Sequence, residues 1–248
     1  MTDNALRYSL DVALRRYNAR TGLSFEGAKA ALFDMDGIIF DSMPGHARAW
    51  MQMCREEGIP ADEDEFFMYE GRTGASTINI LYRRHYGREA TPDEIERLYH
   101  RKTVLFKAMP EVNLIPGARE ALKACADAGI TPVLVTGSGQ SSLLERLSAE
   151  FPDAFPPGRR ITGRDVARGK PHPEPYLKGI AAAGDDIRPS ACIAIDNAPL
   201  GVKSAAASEA FTIGVRTGPI PRGMLAEYGA DIEIDSMLQC TKIISWLL

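Results

Sequence analysis

The sequence predicts an α/β fold: a Rossmann-like, doubly wound parallel sheet forms the core, and a helical cap domain is inserted into it. Two observations predict this fold. Short apolar runs that end at a small or polar residue alternate along the chain with segments of helical spacing. The stretch between Gly45 and Met109 breaks the alternation, because it keeps helical spacing without a convincing buried strand. Strands that are joined through helices cross over with one handedness and become parallel, which gives a sheet covered on both faces.

The first 28 residues are predicted to form a helical extension in front of this core. Leu6, Leu10, Leu14 and Tyr17 recur three or four residues apart, which is the spacing of one face of an α-helix. The same stretch carries charges throughout, so it lacks the apolar segment of a signal peptide. We expect an amphipathic helix that packs outside the main fold or against a partner.

Four apolar runs are predicted to be strands of the core, and four further segments are predicted to be helices. The strands are residues 30–33, 130–135, 191–195 and 211–215, and the helices are residues 118–128, 141–149, 174–183 and 200–207. Asp34, Thr136 and Asp196 each follow one of the first three strands. Ligands of such sheets bind beyond the carboxyl ends of the strands, so we expect these three side chains to meet in one crevice.

The helical insert divides the core into two segments. We assign residues 29–43 and 111–248 to the core and residues 44–110 to the cap. Proline or glycine occurs at both flanks, in residues 42–45 and in residues 109–111, as expected for hinges between two bodies. We therefore predict that the insert is a lid over the crevice.

Composition and charge limit the class of ligand. The 248 residues are 45% hydrophobic and 25% charged, as in an ordinary globular protein, and the net charge is -4 without a dense run of Lys or Arg. A nucleic-acid partner would require a basic patch, and no apolar run is long enough to span a membrane. The four cysteines form no CxxC pair, which disfavours a zinc site and a disulfide scaffold. We expect a cytoplasmic monomer or weak homodimer that binds a small molecule.

The most informative pair of residues is Asp34 and Asp36, two carboxylates at the point where the first strand gives way to a turn. Gly37 follows them and is free to adopt a backbone conformation that other residues avoid. Such a pair suits a hard cation such as Mg²⁺. It also suits a division of labour in which one carboxylate attacks phosphorus and the other transfers protons. Taken alone, the pair is equally consistent with an acidic turn.

The segment LFDMDGIIFDSM around this pair, together with the segments described next, resembles the haloacid dehalogenase superfamily and its β-phosphoglucomutase-like branch. The resemblance covers nearly the whole chain after residue 28. It implies that Asp34 is the nucleophile that becomes an aspartyl phosphate and that Asp36 is the general acid and base. It also implies a Mg²⁺ cofactor held by the Asp34 carboxylate and the Asp36 main-chain carbonyl. Dehalogenases of the superfamily lack the second aspartate, so Asp36 indicates chemistry at phosphorus.

Two further segments resemble phosphoryl-binding motifs of the same family. In VTGSG, the resemblance implies that the Thr136 hydroxyl and the N–H groups of the following turn, at Gly137 and Ser138, bind phosphoryl oxygens. In GKPHPEPY, it implies that Lys170 neutralises phosphoryl charge and steadies Asp34. Taken alone, the first segment would be an ordinary loop, whereas the three prolines of the second make a solvated lysine the weaker alternative.

The fourth matching segment, DNAPLGV, departs from the family pattern at one position. Relatives carry two acids here, and this chain has Asp196 followed by Asn197. The resemblance implies that Asp196 contacts the metal directly or through water. Asn197 stands where relatives place a direct Mg²⁺ ligand, and its amide oxygen can coordinate without contributing negative charge. We expect weaker Mg²⁺ binding as a result.

The insert contains the residues that are expected to select the substrate. His46 matches a mutase histidine that contacts the acid/base aspartate, although a helix start with Trp50 in the core explains the same segment equally well. The segment EGRTG resembles the substrate-selecting lid loop, so Arg72 and Thr73 are candidate substrate-binding residues. Where the mutases have an arginine for the distal phosphate of a bisphosphate, this chain has Gly74, and Arg72 is the nearest replacement.

These residues leave three functional hypotheses. The leading one is a Mg²⁺-dependent phosphatase for a small phosphorylated metabolite, with a sugar phosphate as the first choice. The second is a β-phosphoglucomutase-type enzyme, which His46 favours and Gly74 disfavours. The third is a catalytically weak sugar-phosphate binding protein, which Asn197 suggests and the complete set of catalytic residues disfavours.

Overall fold

The computed structural model describes residues 2–109 and 112–247, and within them six strands form one parallel sheet. The strands are β1 (Ala30–Phe33), β2 (Thr131–Val135), β3 (Arg160–Ile161), β4 (Cys192–Asp196), β5 (Phe211–Val215) and β6 (Ile232–Ile234). Their order across the sheet is β3-β2-β1-β4-β5-β6, so the chain winds outwards in both directions from β1. The predicted α/β fold with a doubly wound sheet is confirmed. The strand order reverses beside β1, which is where such sheets bind ligands.

Helices surround the sheet and form the insert. In the described residues they are α1 (Asp3–Thr21), α2 (Met43–Glu56), α3 (Glu63–Met68), α4 (Gly74–Tyr86), α5 (Pro92–Lys107), α6 (Ala118–Asp127), α7 (Ser141–Glu150), α8 (Glu174–Ala183), α9 (Pro199–Ala207), α10 (Met224–Glu227) and α11 (Met237–Trp246). Across the parts of the chain that the structure describes, no helix combines the length and the apolar character needed to cross a membrane.

The central strands are buried on both faces, which explains why they read as apolar runs in the sequence. Along β1, Ala31 and Phe33 belong to one apolar cluster, whereas Ala30 and Leu32 belong to another. Successive side chains of a strand point to opposite faces, so one short run supplies both layers. The first cluster includes buried residues of α6, α7 and α11, and the second includes residues of α8 and α9. Helices therefore cover both faces of the sheet.

The N-terminal helix α1 packs on the core of its own chain. Its buried residues include Leu6, Leu10 and Tyr17, which belong to the same apolar cluster as one face of the sheet. The Tyr17 hydroxyl donates to a main-chain carbonyl 2.9 Å away, and Arg20 forms an ion pair with buried Asp231 at 2.7 Å. Of the two expected roles for this amphipathic helix, the structure favours packing outside the main fold.

The insert between β1 and α6 is a bundle of the four helices α2 to α5, with its own apolar cluster around Met53, Ile78 and Leu98. The first predicted hinge, residues 42–45, is a helix start rather than a loop, because α2 begins at Met43 and tolerates proline in its first turn. In the second predicted hinge, residues 110 and 111 lie outside the described residues.

The sequence does not predict the two edge strands. β3 contains only Arg160 and Ile161, which are half-buried, so no apolar run marks it. β6 has Glu233 at its centre, and that carboxylate accepts hydrogen bonds from the main-chain N–H groups of Gly223 and Leu225. A polar residue committed to a neighbouring turn obscures the apolar pattern of this short strand.

Candidate active site

The candidate active site lies at the carboxyl edge of the three central strands, beneath the cap. Asp34 directly follows β1, Thr136 directly follows β2, and Asp196 is the last residue of β4. All three are buried. The Asp34 N–H donates to the carbonyl of Ile195 on β4 at 3.0 Å, so the sheet hydrogen bonding continues as far as this aspartate. The structure brings these three predicted residues together, as expected.

Lys170 connects two of the strand ends. Its Nζ donates to Asp34 Oδ1 and to Asp196 Oδ2, both at 2.7 Å, and its side chain is 0% exposed. Burial alone would lower the pKa of this lysine, but the two carboxylates outweigh it and raise the pKa above its usual value. Lys170 therefore keeps its positive charge beside Asp34.

Asp34 is short of positive charge even with Lys170 beside it. Burial is the main cause that raises the pKa of its carboxyl to about 7, and the neighbouring Asp196 and Asp36 act in the same direction against Lys170. A further cation at this position would favour the ionised carboxylate that a nucleophile requires.

Asp196 is held by donors on both carboxylate oxygens. Besides Lys170, the Tyr176 hydroxyl donates to its Oδ2 at 2.6 Å, and the Ala198 N–H donates to its Oδ1 at 3.0 Å. A side chain at Gly201 would meet this carboxylate at 2.1 Å, so the glycine leaves the space that Asp196 occupies. In this structure Asp196 orients Lys170. Sequence reasoning missed Tyr176, whose hydroxyl could have been noticed only as a polar atom on an otherwise apolar helix face.

A chain of buried polar groups from the cap reaches Asp36. Ser42 Oγ donates to Asp36 Oδ1 at 2.5 Å, and His46 Nε2 lies 2.9 Å from the same oxygen. Lys102 Nζ lies 2.6 Å from His46 Nδ1. Because an ammonium group only donates, Nδ1 must accept, and Nε2 therefore carries the ring proton and donates it to Asp36. His46 also stacks on Phe106 at 4.1 Å between ring centroids.

These contacts determine the protonation states of His46 and Asp36. Burial and the nearby Lys102 ammonium lower the pKa of His46, which keeps the ring neutral. Burial raises the pKa of Asp36, but the contacts with His46 and Ser42 outweigh burial and hold the pKa below its usual range. Burial lowers the pKa of Lys102 to about 8. Sequence reasoning found His46 and missed Lys102, which lies on α5 as part of an ordinary helical charge pattern.

The loop after β2 forms the phosphoryl side of the crevice. Thr136 Oγ1 accepts a hydrogen bond from the Ser138 N–H at 3.0 Å, and Ser138 Oγ accepts from the Gln140 N–H at 3.3 Å. Thr136, Gly137 and Ser138 all line the cavity between core and cap. This turn leads into α7, so its main-chain donors lie where an anion is favoured.

On the cap side, two neighbouring residues of the loop between α3 and α4 differ in their position relative to the cavity. Arg72 lines the cavity, and its Nη1 donates to Ser76 Oγ at 3.2 Å, while its buried Nε has no hydrogen-bond partner among the described residues. Thr73 is absent from the described residues that line the cavity. Its Oγ1 accepts from the Ser76 N–H at 3.2 Å as the N-cap of α4. The expectation that Thr73 contacts substrate is therefore not supported, because its hydroxyl is committed to the helix.

Gly74 has no room for a side chain. An added Cβ would lie 2.2 Å from the ring of Tyr99, which also lines the cavity and accepts a hydrogen bond from the Gly139 N–H at 3.2 Å. Tyr99 therefore occupies the place of a longer side chain at this cap position. The cavity that remains has a volume of about 60 Å³.

Glu70 is a buried acid of the cap loop that sequence reasoning missed. The amide of Asn197 donates to its Oε1 at 3.0 Å across the cap–core boundary. Burial raises the pKa of Glu70 well above its usual value, and the charge of Asp34 adds to the rise. The signal that could have found it was an acid in the lid segment EGRTG of a chain that lacks an acid at position 197.

The residues at this boundary fit a hard cation. In the described residues, no group of three His, Cys, Asp or Glu side chains is already arranged to hold a metal. The expected set, however, also uses the Asp36 carbonyl and the Asn197 amide, and Asn197 Oδ1 is buried with no hydrogen-bond partner in the described chain. Gly37, at φ +80, would place a side chain 2.1 Å from that amide. The unpartnered Asn197 oxygen and the carboxyl groups of Asp34 and Glu70, whose pKa values are raised, are oxygen donors of the kind that Mg²⁺ prefers.

Comparison with known proteins identifies one family and two activities. Residues 28–209 match the family model for haloacid dehalogenase-like hydrolases. Hexitol phosphatase A of Escherichia coli is 30% identical over 217 residues, which cover 86% of this chain and 93% of that protein. The β-phosphoglucomutase of Bacillus subtilis is 29% identical over 196 residues, which cover 77% and 84% of the two chains.

A solved structure shares the whole architecture. A candidate β-phosphoglucomutase from Bacteroides vulgatus is 42% identical, superposes with a TM-score of 0.89, and covers 95% of both chains. The curated phosphatase and the curated mutase are similarly distant, at 30% and 29% identity, whereas the solved structure that is more similar, at 42%, is named only as a candidate mutase, so identity alone does not separate the two reactions.

Proposed function

Since this chain belongs to the haloacid dehalogenase-like hydrolase family, as its motifs predict, we propose that it is a Mg²⁺-dependent phosphatase that works through a phosphoryl group on Asp34. The chain is a phosphoryl-transfer enzyme of the phosphohydrolase and phosphomutase kind, and its phosphatase relatives act on small phosphorylated compounds. The observation that carries the mechanism is the Lys170 ammonium, 2.7 Å from the carboxylate of Asp34 at the end of the central strand.

In the first step, an oxygen of Asp34 bonds to phosphorus while the bond between phosphorus and the leaving-group oxygen breaks. Lys170, the Thr136 hydroxyl and the main-chain N–H of Gly137 stabilise the charge on the phosphoryl oxygens, while the Ser138 N–H orients the Thr136 hydroxyl. Asp36 passes to the leaving oxygen the proton that it took from water in the preceding turnover, and it is then ionised again.

In the second step, water attacks the phosphoryl group on Asp34. Asp36 takes the proton from this water, phosphate leaves, and the Asp34 carboxylate is regenerated. The contacts of Asp36 with Ser42 and His46 favour its ionised form, which is the form that this step requires. The cap residues thus support hydrolysis of the intermediate.

The residues that would hold Mg²⁺ are the Asp34 carboxylate, the Asp36 carbonyl, Asn197 Oδ1 and the Glu70 carboxylate, with Asp196 acting through water. When bound, the ion neutralises charge between the nucleophile and the phosphoryl oxygens. Glu70 would supply from the cap the carboxylate that Asn197 does not contribute. The loss of a charge at position 197 therefore does not by itself argue for an inactive binding protein.

One feature favours hydrolysis over isomerisation. Tyr99 fills the space beside Gly74, the position at which the mutases are expected to carry an arginine for the distal phosphate of a sugar bisphosphate. A mutase must hold such an intermediate while it excludes water. The contact between His46 and Asp36 keeps the mutase as the second candidate, because mutases are expected to share it.

One experiment separates the candidate functions. The protein is incubated with Mg²⁺ and a panel of phosphorylated compounds graded by size, from inorganic pyrophosphate and acetyl phosphate to hexitol phosphates and β-glucose 1-phosphate with trace glucose 1,6-bisphosphate. Free phosphate and glucose 6-phosphate are both measured. Release of phosphate that disappears in Asp34→Asn supports the phosphatase. Formation of glucose 6-phosphate supports the mutase, no turnover of any compound supports the binding protein, and full activity of Asp34→Asn would exclude the mechanism.

A further inference from the structure

The cap loop from Glu70 to Thr73 rests on core loops that present glycines to it. A Cβ added to Gly137 would lie 2.3 Å from the main-chain oxygen of Gly71, and one added to Gly169 would lie 2.7 Å from Thr73 Cγ2. A Cβ added to Gly163 would lie 2.5 Å from the Gly137 oxygen and 3.6 Å from Thr73 Cγ2. We call Gly137, Gly163 and Gly169 the glycine seat.

Space explains these three glycines better than backbone conformation does. None of the three has φ in the left-handed region, so other residues could adopt the same backbone. What they share is the close approach of another chain segment, which any side chain would prevent. Gly137 and Gly169 therefore leave space for the cap loop, whereas Gly163 leaves space for the core loop that contains Gly137.

The hydroxyl and the methyl group of the Thr73 side chain make different contacts. The hydroxyl caps α4 by accepting from the Ser76 N–H, and the Cγ2 methyl group faces the position where Gly169 lacks a side chain. A β-branched side chain has few rotamers, so the capping bond also fixes the direction of the methyl group. The contact therefore sets the register of the cap loop on the seat.

The same loop carries two cap residues of the candidate active site. Glu70 reaches Asn197 at 3.0 Å, and Arg72 lines the cavity. Between them Gly71, at φ +84, passes over Lys170, because an added Cβ there would lie 3.0 Å from Lys170 Cδ. A shift of this loop would therefore move a candidate metal ligand and a candidate substrate contact together.

We propose that Thr73 is a positioning residue for phosphoryl transfer, whose methyl group docks at Gly169 and thereby fixes Glu70 and Arg72 over Asp34. The inference rests on the proposed function and deepens it. It replaces the expected substrate contact of Thr73 by a role exerted through its neighbours in the loop.

The test is a compensation experiment. Gly169→Ala puts a methyl group where Thr73 Cγ2 lies, and we expect kcat/KM for the best substrate to fall about tenfold, because an overpacked contact holds the loop off the core. Thr73→Ser keeps the capping hydroxyl and removes the docking methyl group, so alone it should lower kcat/KM about threefold, less than the overpacked Gly169→Ala does. In the double variant, the removed methyl should make room for the added one, and kcat/KM should recover to the level of Thr73→Ser.

Gly163→Ala is the matched control, because its methyl group would meet the Gly137 carbonyl and makes only ordinary contact with Thr73. Thr73→Ser should not rescue it. If Thr73→Ser also fails to rescue Gly169→Ala, the alanine acts through the adjacent Lys170, and the proposal is overturned.

A second measurement does not depend on activity. Hydrogen exchange of residues 70–76 should rise in Gly169→Ala and return to the Thr73→Ser level in the double variant. Unchanged exchange in Gly169→Ala would overturn the seat even if the rate falls. If wild type turns over none of the phosphorylated compounds but the exchange pattern appears, the proposed function fails while the docking contact stands.

Discussion

Two buried lysines lie at the candidate active site, one on the core beside Asp34 and one on the cap beside His46, and their surroundings shift their pKa values in opposite directions. Lys170, on the core, lies between Asp34 and Asp196 at 2.7 Å from each, and its pKa is raised. Lys102, on the cap, lies 2.6 Å from the neutral ring of His46, and burial lowers its pKa to about 8. The partner, more than burial, decides the charge of a buried lysine. The core cation is permanent, whereas the cap cation depends on pH near neutrality.

The largest expected effect comes from removing the permanent cation. Lys170→Met should lower kcat by about a thousandfold, because it removes the charge nearest the nucleophile and leaves two buried carboxylates unpaired. The measurement is phosphate release under saturating Mg²⁺, with circular dichroism to confirm folding. Lys178→Met, which removes a more exposed lysine from α8, is the control and should leave kcat within about twofold. A folded Lys170→Met with kcat within tenfold of wild type would contradict the role of the core lysine.

The next effect concerns the metal, at the contact between cap and core. Glu70→Gln should weaken Mg²⁺ binding about 10- to 100-fold, because it removes a carboxylate from the expected ligand set. Asn197→Asp alone should tighten binding, and the double variant should return towards wild type because it moves the carboxylate from cap to core. Titration calorimetry with Mg²⁺ measures this series, and Glu63→Gln, a change at an exposed acid of α3, is the control. Equal affinities for all variants would remove both residues from the metal site.

The charge of Lys102 changes near neutral pH, so it should give kcat a pH dependence that Lys170 does not give. Lys102 holds its proton below about pH 8 in the native protein and loses it above. We expect kcat to fall through this pH, because a neutral Lys102 amine can accept from Nδ1, and Nε2 then no longer has to carry the proton that it donates to Asp36. Lys102→Met should lower kcat about tenfold at pH 7 and flatten the profile between pH 7 and 9. An alkaline limb that persists in Lys102→Met would assign it to another group.

The free energy of unfolding should change with pH in the direction opposite to kcat. Between about pH 8 and the ordinary lysine pKa of about 10.4, the unfolded chain keeps the proton that native Lys102 has released. The free energy of unfolding of wild type should therefore rise with pH relative to Lys102→Met in this window. Denaturant titrations at pH 7.5 and 9.5 measure the difference, and a wild-type advantage that shrinks with pH would contradict the lowered pKa.

The core side of this comparison could be predicted from sequence, and the cap side largely could not. Asp34, Thr136 and Asp196 follow from local information, since each stands at the end of an apolar run and the sheet brings such ends together. Lys102 and Glu70 depend on packing: their partners lie 56 and 127 residues away along the chain. Each occupies a position where a charged residue is ordinary, and no local pattern marks the burial that makes it functional.

The smallest effect concerns how firmly the core cation is held. The Tyr176 hydroxyl donates to the Asp196 oxygen that also accepts from Lys170, and both side chains are fully buried. Tyr176→Phe removes one donor and leaves the ring in place, so we expect kcat to fall about three- to tenfold with KM unchanged, the loss of one hydrogen bond. A purely structural hydroxyl would lower the melting temperature and leave kcat as it is. In that case Asp34 and Asp196 alone hold Lys170 in place, and its permanent positive charge depends on these two carboxylates and not on the Tyr176 hydroxyl of α8.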